Sequence, residues 1–175
     1  MGGALAVDTA LEHPDLVSAV VVSGAGTSEP YFTDPWTTRA MATWHAGMAA
    51  GDLDASVEGF MLFAAGPHRS LGELDAEVVS RLRRMAMETM SKHGAERARP
   101  PRPGARHLGT RPHHRRPRAG RQRRRRLPDH IGMAERLAGA VADGRATSID
   151  GAAHYPNMER PDAFNRILGD FLRTV

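Results

Sequence analysis

The apolar positions of this chain fall into two patterns, one with helical spacing and one of short unbroken runs. Leu5, Val7, Ala10 and Leu11 punctuate an alanine-rich stretch from Gly2 to His13 that Pro14 ends, which predicts a helix. The next stretch, "LVSAVVVSGAG" from Leu16 to Gly26, gathers β-branched residues into a run closed by glycines. It predicts a strand buried on both faces, as in a parallel sheet. Three helical patterns follow at Trp36–Ala50, Asp52–Ala65 and Leu74–His93, the last stopped by Gly94. Later, "HIGMAERLAGAVADG" (His130 to Gly144) predicts a helix, Arg145 to Asp150 a short strand, and "PDAFNRILGDFLRTV" a terminal helix. This last helix opens with Pro161, whose missing amide costs nothing there, and with Asp162 in a first turn that favours negative charge. Helices alternating with buried strands predict an α/β fold.

Methionine and charge modify this picture. Met41, Met48, Met61, Met85, Met87 and Met90 fall on the three central helical patterns, where they serve either as plain packing or as the lining of an adaptable apolar pocket. From Arg97 to Pro128 the pattern stops. That block holds thirteen arginines, three histidines and six of the chain's twelve prolines, without one aspartate or glutamate. It cannot join a core, and its like charges and prolines predict disorder. Of the 24 basic residues, 13 lie in the block, so the rest carries 11 basic against 20 acidic residues and the overall +4 becomes −9 outside it. Cysteine is absent, which removes disulfides and thiolate metal sites and leaves the cytoplasm as the expected compartment. No window offers eighteen apolar residues, so no membrane span is expected. His113 and His114 are adjacent and would point apart on a strand, which gives a metal site no support.

The residues with chemistry stand between the last predicted strand and the last helix, in "GAAHYPNMERP", Gly151 to Pro161. A histidine among small residues just past a buried strand can project its imidazole into a cleft at the carboxyl edge of a sheet. That makes His154 the candidate catalytic residue.

Taken together, "MGGALAVDTALEHPDLVSAVVVSGAG" and "GAAHYPNMERPDAFNRILGDFL" resemble the α/β-hydrolase superfamily, over nearly all the chain outside the arginine block. The resemblance implies the C-terminal part of an α/β-hydrolase fold, a mainly parallel sheet flanked by helices with a helical cap. Residues 1–29 and 129–175 would be core, 30–95 the cap, and 96–128 the arginine- and proline-rich insertion. Met1-Gly2-Gly3 matches the end of a nucleophile elbow. The serine would then stand just before Met1, the Met1 amide would be an oxyanion donor, and His154 would be the general base. The implied reaction is hydrolysis of a carboxylic ester, lactone or related small acyl substrate through a Ser-His-Asp triad, with no cofactor and no metal. An aspartate nucleophile at the serine's position would instead imply an epoxide hydrolase or haloalkane dehalogenase.

The acid of such a triad belongs to a strand that falls where the arginine block stands. Read one base later, "RPHHRRPR" can become Asp-Pro-Thr-Thr-Val-Val-Leu-Gly, which supplies such a strand. The block therefore reads as a frame-shifted translation, with the original frame regained near Asp129. On this reading the chain lacks nucleophile and acid and is expected to show no measurable hydrolase activity. The rival reading takes the block as a basic arm for nucleic acid or another polyanion. No aromatic residue interleaves its arginines to stack bases, so no specific nucleic-acid partner is expected.

Overall fold

The structure is a computed structural model that describes residues 2–24, 30–92 and 128–175. Seven α-helices occur among these residues: α1 (Gly2–Glu12), α2 (Pro35–Ala50), α3 (Leu53–Ala65), α4 (Ala76–Ser91), α5 (Pro128–Ala140), α6 (Pro156–Glu159) and α7 (Pro161–Leu172). A 3₁₀ turn, Leu71–Glu73, precedes α4.

No strand forms among the described residues, and the expected α/β fold with a parallel sheet is corrected to an all-helical one. Both predicted strands are affected. Leu16 is 75% exposed and Val21 49%, and the run read as doubly buried has no buried residue in its described part, 16–24. Residues 145–148 are exposed as well. The physical reason is that a β-branched run expresses a fit to a pleated surface that neighbouring strands must supply. Neither segment has a strand beside it among the described residues.

The central helices begin where local chemistry starts them. Asp34, Asp52 and Asp75 each stand at an N-cap and accept from amides that the first turn leaves unpaired: Thr37 N at 2.9 Å, Ala55 N at 2.9 Å and Glu77 N at 2.8 Å. Pro35 occupies the first turn of α2. Gly51 ends that helix in the left-handed region at φ 68°, its amide reaching back to Met48 O at 3.2 Å. Two further glycines let α2 and α3 approach closely. A Cβ at Gly59 would lie 2.7 Å from Trp44 Cα, and one at Gly47 would lie 2.6 Å from Ser56 N.

The core gathers around α3. Val57, Met61 and Ala64 meet Leu82, Ala86 and Met90 of α4, with Trp44 and Met48 of α2 packed against them. Ala40 and Phe63 make a second cluster with Trp36 and Met41. Most of the methionines are therefore packing, while Met85 is 48% exposed. Outside residues 35–91 burial is sparse. Val7 alone is buried in α1 and Met133 alone in α5, and α7 buries none of its residues.

Candidate functional site

His154 stands in the loop between Gly151 and α6, and this loop is tied to the C-terminal end of α3. The Arg69 guanidinium makes the tie. Its Nε donates to Ala65 O at 3.0 Å and its Nη2 to Ala64 O at 3.3 Å, so it satisfies carbonyls that the end of α3 would leave unpaired. Its Nη1 donates to Gly151 O at 3.0 Å and lies 2.7 Å from Glu159 Oε2. Glu159 in turn accepts from Ala153 N at 2.9 Å. Both side chains of this ion pair are nearly buried, 11% and 5% exposed, so the charges are matched inside the protein. Gly151, at φ 77°, supplies the left-handed turn that brings the loop back onto Arg69.

The loop held in this way sets His154 in a box of rings. Tyr155 lies 4.9 Å away between ring centroids, His130 5.1 Å and Phe63 6.1 Å. His130, from the first turn of α5, also packs against Phe32 at 5.5 Å and Phe63 at 6.4 Å. Gly24 lies beside the ring, where an added Cβ would stand 3.7 Å from His154 Cε1. Tyr155 continues the ring contacts to Phe60 at 6.3 Å, which joins the box to the main core.

Burial governs the electrostatics. It pushes the His154 imidazole down to about 4, with smaller contributions in the same direction from His130 and from the chain's α-amino group. His130 is lowered by burial as well, against an opposing pull from the Asp129 carboxylate. The Tyr155 hydroxyl is pushed up to about 12 by burial. All three rings are therefore uncharged at neutral pH. An imidazole of this kind accepts a proton and carries no charge until it does.

The triad implied by the sequence is not assembled among the described residues. His154 is present, but no carboxylate figures among the charges that act on it. Met1, the expected oxyanion donor, and the arginine block that was to hide the acid lie outside the described residues. So do His113 and His114. No group of three or more histidine, cysteine, aspartate or glutamate side chains among the described residues could hold a metal ion. No described helix is long and apolar enough to cross a membrane.

Sequence reasoning named His154 and none of its surroundings. His130 opened a predicted helix, and Arg69 and Glu159 were given no role. A signal existed for Arg69, the lone cation two residues beyond a Gly-Pro pair that ends an apolar helix. The ring contacts join residues up to 98 positions apart and had no local signature, as with Phe32 and His130. The expected methionine-lined pocket is not at this site. An open groove of about 630 Å³ on α4, with Leu71, Val79 and Met87 among its lining, includes none of the residues of the ring box.

With this geometry in hand, comparison with protein-family models, with curated proteins and with solved structures gives no match. The resemblance to α/β-hydrolases is thereby corrected: the described fold has no strand, and no family match supports the relationship.

Proposed function

We propose that this chain, against the inactivity expected from its missing triad partners, hydrolyses a small, uncharged acyl ester with His154 as general base and water as the nucleophile. The observation that carries this reading is the enclosure of the His154 imidazole by Tyr155, His130 and Phe63, with ring centroids 4.9, 5.1 and 6.1 Å away. Water attacks the carbonyl carbon while His154 takes its proton, and the imidazolium then returns that proton to the departing alkoxide. A base of such low basicity pulls weakly, yet it is unprotonated at every pH above about 5, and its conjugate acid gives the proton up readily. Phe63, Tyr155 and His130 favour an apolar substrate because none of them carries charge at neutral pH. With no cysteine the chain is indifferent to the redox state of its compartment, and we place it in the cytoplasm as the default.

The test is hydrolysis of p-nitrophenyl acetate by the full chain between pH 3 and 8. The rate is expected to rise through an inflection near the His154 value of about 4 and stay level above it. His154→Ala is expected to lower the plateau by at least about a hundredfold, the lower side of what a positioned general base contributes. The chain has nine histidines, so the inflection separates this site from the others. An inflection near 6.5, or a rate unchanged in His154→Ala, rules the reading out.

A second reading rests on the thirteen arginines of 97–126, which carry no acidic residue among them. A polyanion would be bound by phosphate or sulfate neutralisation, with affinity that falls steeply as salt rises and with no preference for sequence. Titration of heparin and of two unrelated DNA duplexes at two salt concentrations tests it.

A further inference from the structure

We propose that His130 is the positioning residue of His154: anchored through Asp129, its ring is the wall against which His154 is oriented and from which a second positive charge is excluded. The anchor is built from adjacent residues of one helical turn. Asp129 accepts from Thr33 N at 3.1 Å, from Thr33 Oγ1 at 3.1 Å and from Asp34 N at 2.9 Å, which fixes the start of α5 to the start of α2. His130 follows immediately and turns its ring inward between Phe32 and Phe63. Its Nδ1 is buried without a hydrogen-bond partner, so ring packing and the Asp129 anchor hold it in place.

The two imidazoles then meet edge to face, 5.1 Å apart at an interplanar angle of 74°. They come from different parts of the fold, α5 and the loop tied down by Arg69. That arrangement has an electrostatic consequence. Among the described residues the rings that face the dyad are Phe63 from α3 and Phe32 ahead of α2, which are uncharged, and Tyr155, which stays neutral. Asp129 favours charge on His130, whereas His130 and the α-amino group oppose charge on His154. A charge on His130 therefore opposes a second one on His154, and the two imidazoles titrate as a coupled pair. The dyad does in one apolar box what a carboxylate partner would do in reverse, since a carboxylate would raise the basicity of His154 and His130 lowers it.

This inference depends on the hydrolytic reading only for its catalytic consequence, and its main test does not require activity. NMR titration of the full chain, with His154 assigned by its loss in His154→Ala, is expected to place His154 near 4. His130→Phe keeps a ring and the burial but removes the charge. The His154 inflection is then expected to rise by about half a unit or more. His130→Ala also opens the wall to water, and a larger rise towards 6.5 is expected. An inflection that stays put in both variants overturns the dyad, as does a wild-type His154 that titrates near 6.5. Ester hydrolysis separates the two claims. If no variant is active but the NMR shifts occur, the dyad stands and the hydrolase reading falls. If activity needs His154 and its pH inflection is the same in His130→Phe as in wild type, the dyad falls and the base remains.

Discussion

Residues 35–91 and the segments on either side of them are built from similar amounts of apolar sequence, and they use it differently. The central segment buries α3 between α2 and α4, with Met61 fully enclosed and Val57 and Ala64 each 1% exposed. The flanking helices leave Leu5 66%, Leu11 44% and Leu172 55% exposed. The lesson concerns what an amphipathic helix needs. The three central helices follow one another within short turns, each capped by an aspartate, so each finds its neighbour locally and the pair buries a shared face. Helix α7 has as clear an apolar face, with Phe164, Leu168 and Phe171 along one side, but among the described helices its main neighbour is the single turn of α6. Amphipathicity marks a face, and a core requires a second face opposite.

The histidine loop is the exception among the flanks, because Arg69 fastens it to the central segment. The largest expected effect breaks that fastening. Arg69→Ala leaves Glu159 buried without its cation and should cost about 3–5 kcal/mol. Amide exchange at residues 151–155 should accelerate more than in α2. Equal acceleration in both would mean that the loop is not a separate attachment.

Next in size is the core itself. Met61→Ala should lower the stability measured by urea unfolding by about 2–5 kcal/mol, because the surrounding helices cannot close over the cavity. Gly59→Ala drives a methyl group into the α2 backbone and should cost about 1–3 kcal/mol, or more if the helices cannot part. If either change is harmless, the central segment is not the stable unit that its burial describes.

Acid sharpens the comparison at the point of attachment. The His154 imidazole is held at about 4 in the folded chain against 6.5 when exposed. As pH falls through 6.5 the unfolded chain takes up the proton and the folded one does not, so stability present above about 6.5 is lost progressively down to about 4 and is level below. Two and a half pH units correspond to about 3 kcal/mol from this group as an upper figure, with His130 acting in the same direction. Urea midpoints at pH 7 and pH 4.5 in wild type and His154→Ala measure it. The variant should lose less stability on acidification.

The smallest expected effects lie in the flanks. Leu5→Ala and Leu172→Ala should each change stability by less than about 0.5 kcal/mol, as exposed positions do. A loss comparable with that of Met61→Ala would show that these faces are covered in solution.

What was legible in the sequence was whatever depended on neighbours a few residues away. The aspartate caps, Pro35, Gly51 and the 3.6-residue spacing are local chemistry, and the central helices appear within a few residues of where they were expected. The terminal helix begins at Pro161 for the same reason. His154 stood out because small residues and a proline surround it. The strands at 16–26 and 145–150 were misread because a strand is completed by another strand, and no run of valines carries that partner within itself. Only the folded chain decides whether the partner is there. The tertiary structure also decided the site: it brought Phe63, His130 and Tyr155 to one imidazole and tied Arg69 to Gly151 across 82 positions. Burial is a property of that assembly. A histidine read from sequence is a base near 6.5, and the ring box around His154 is what turns it into one near 4.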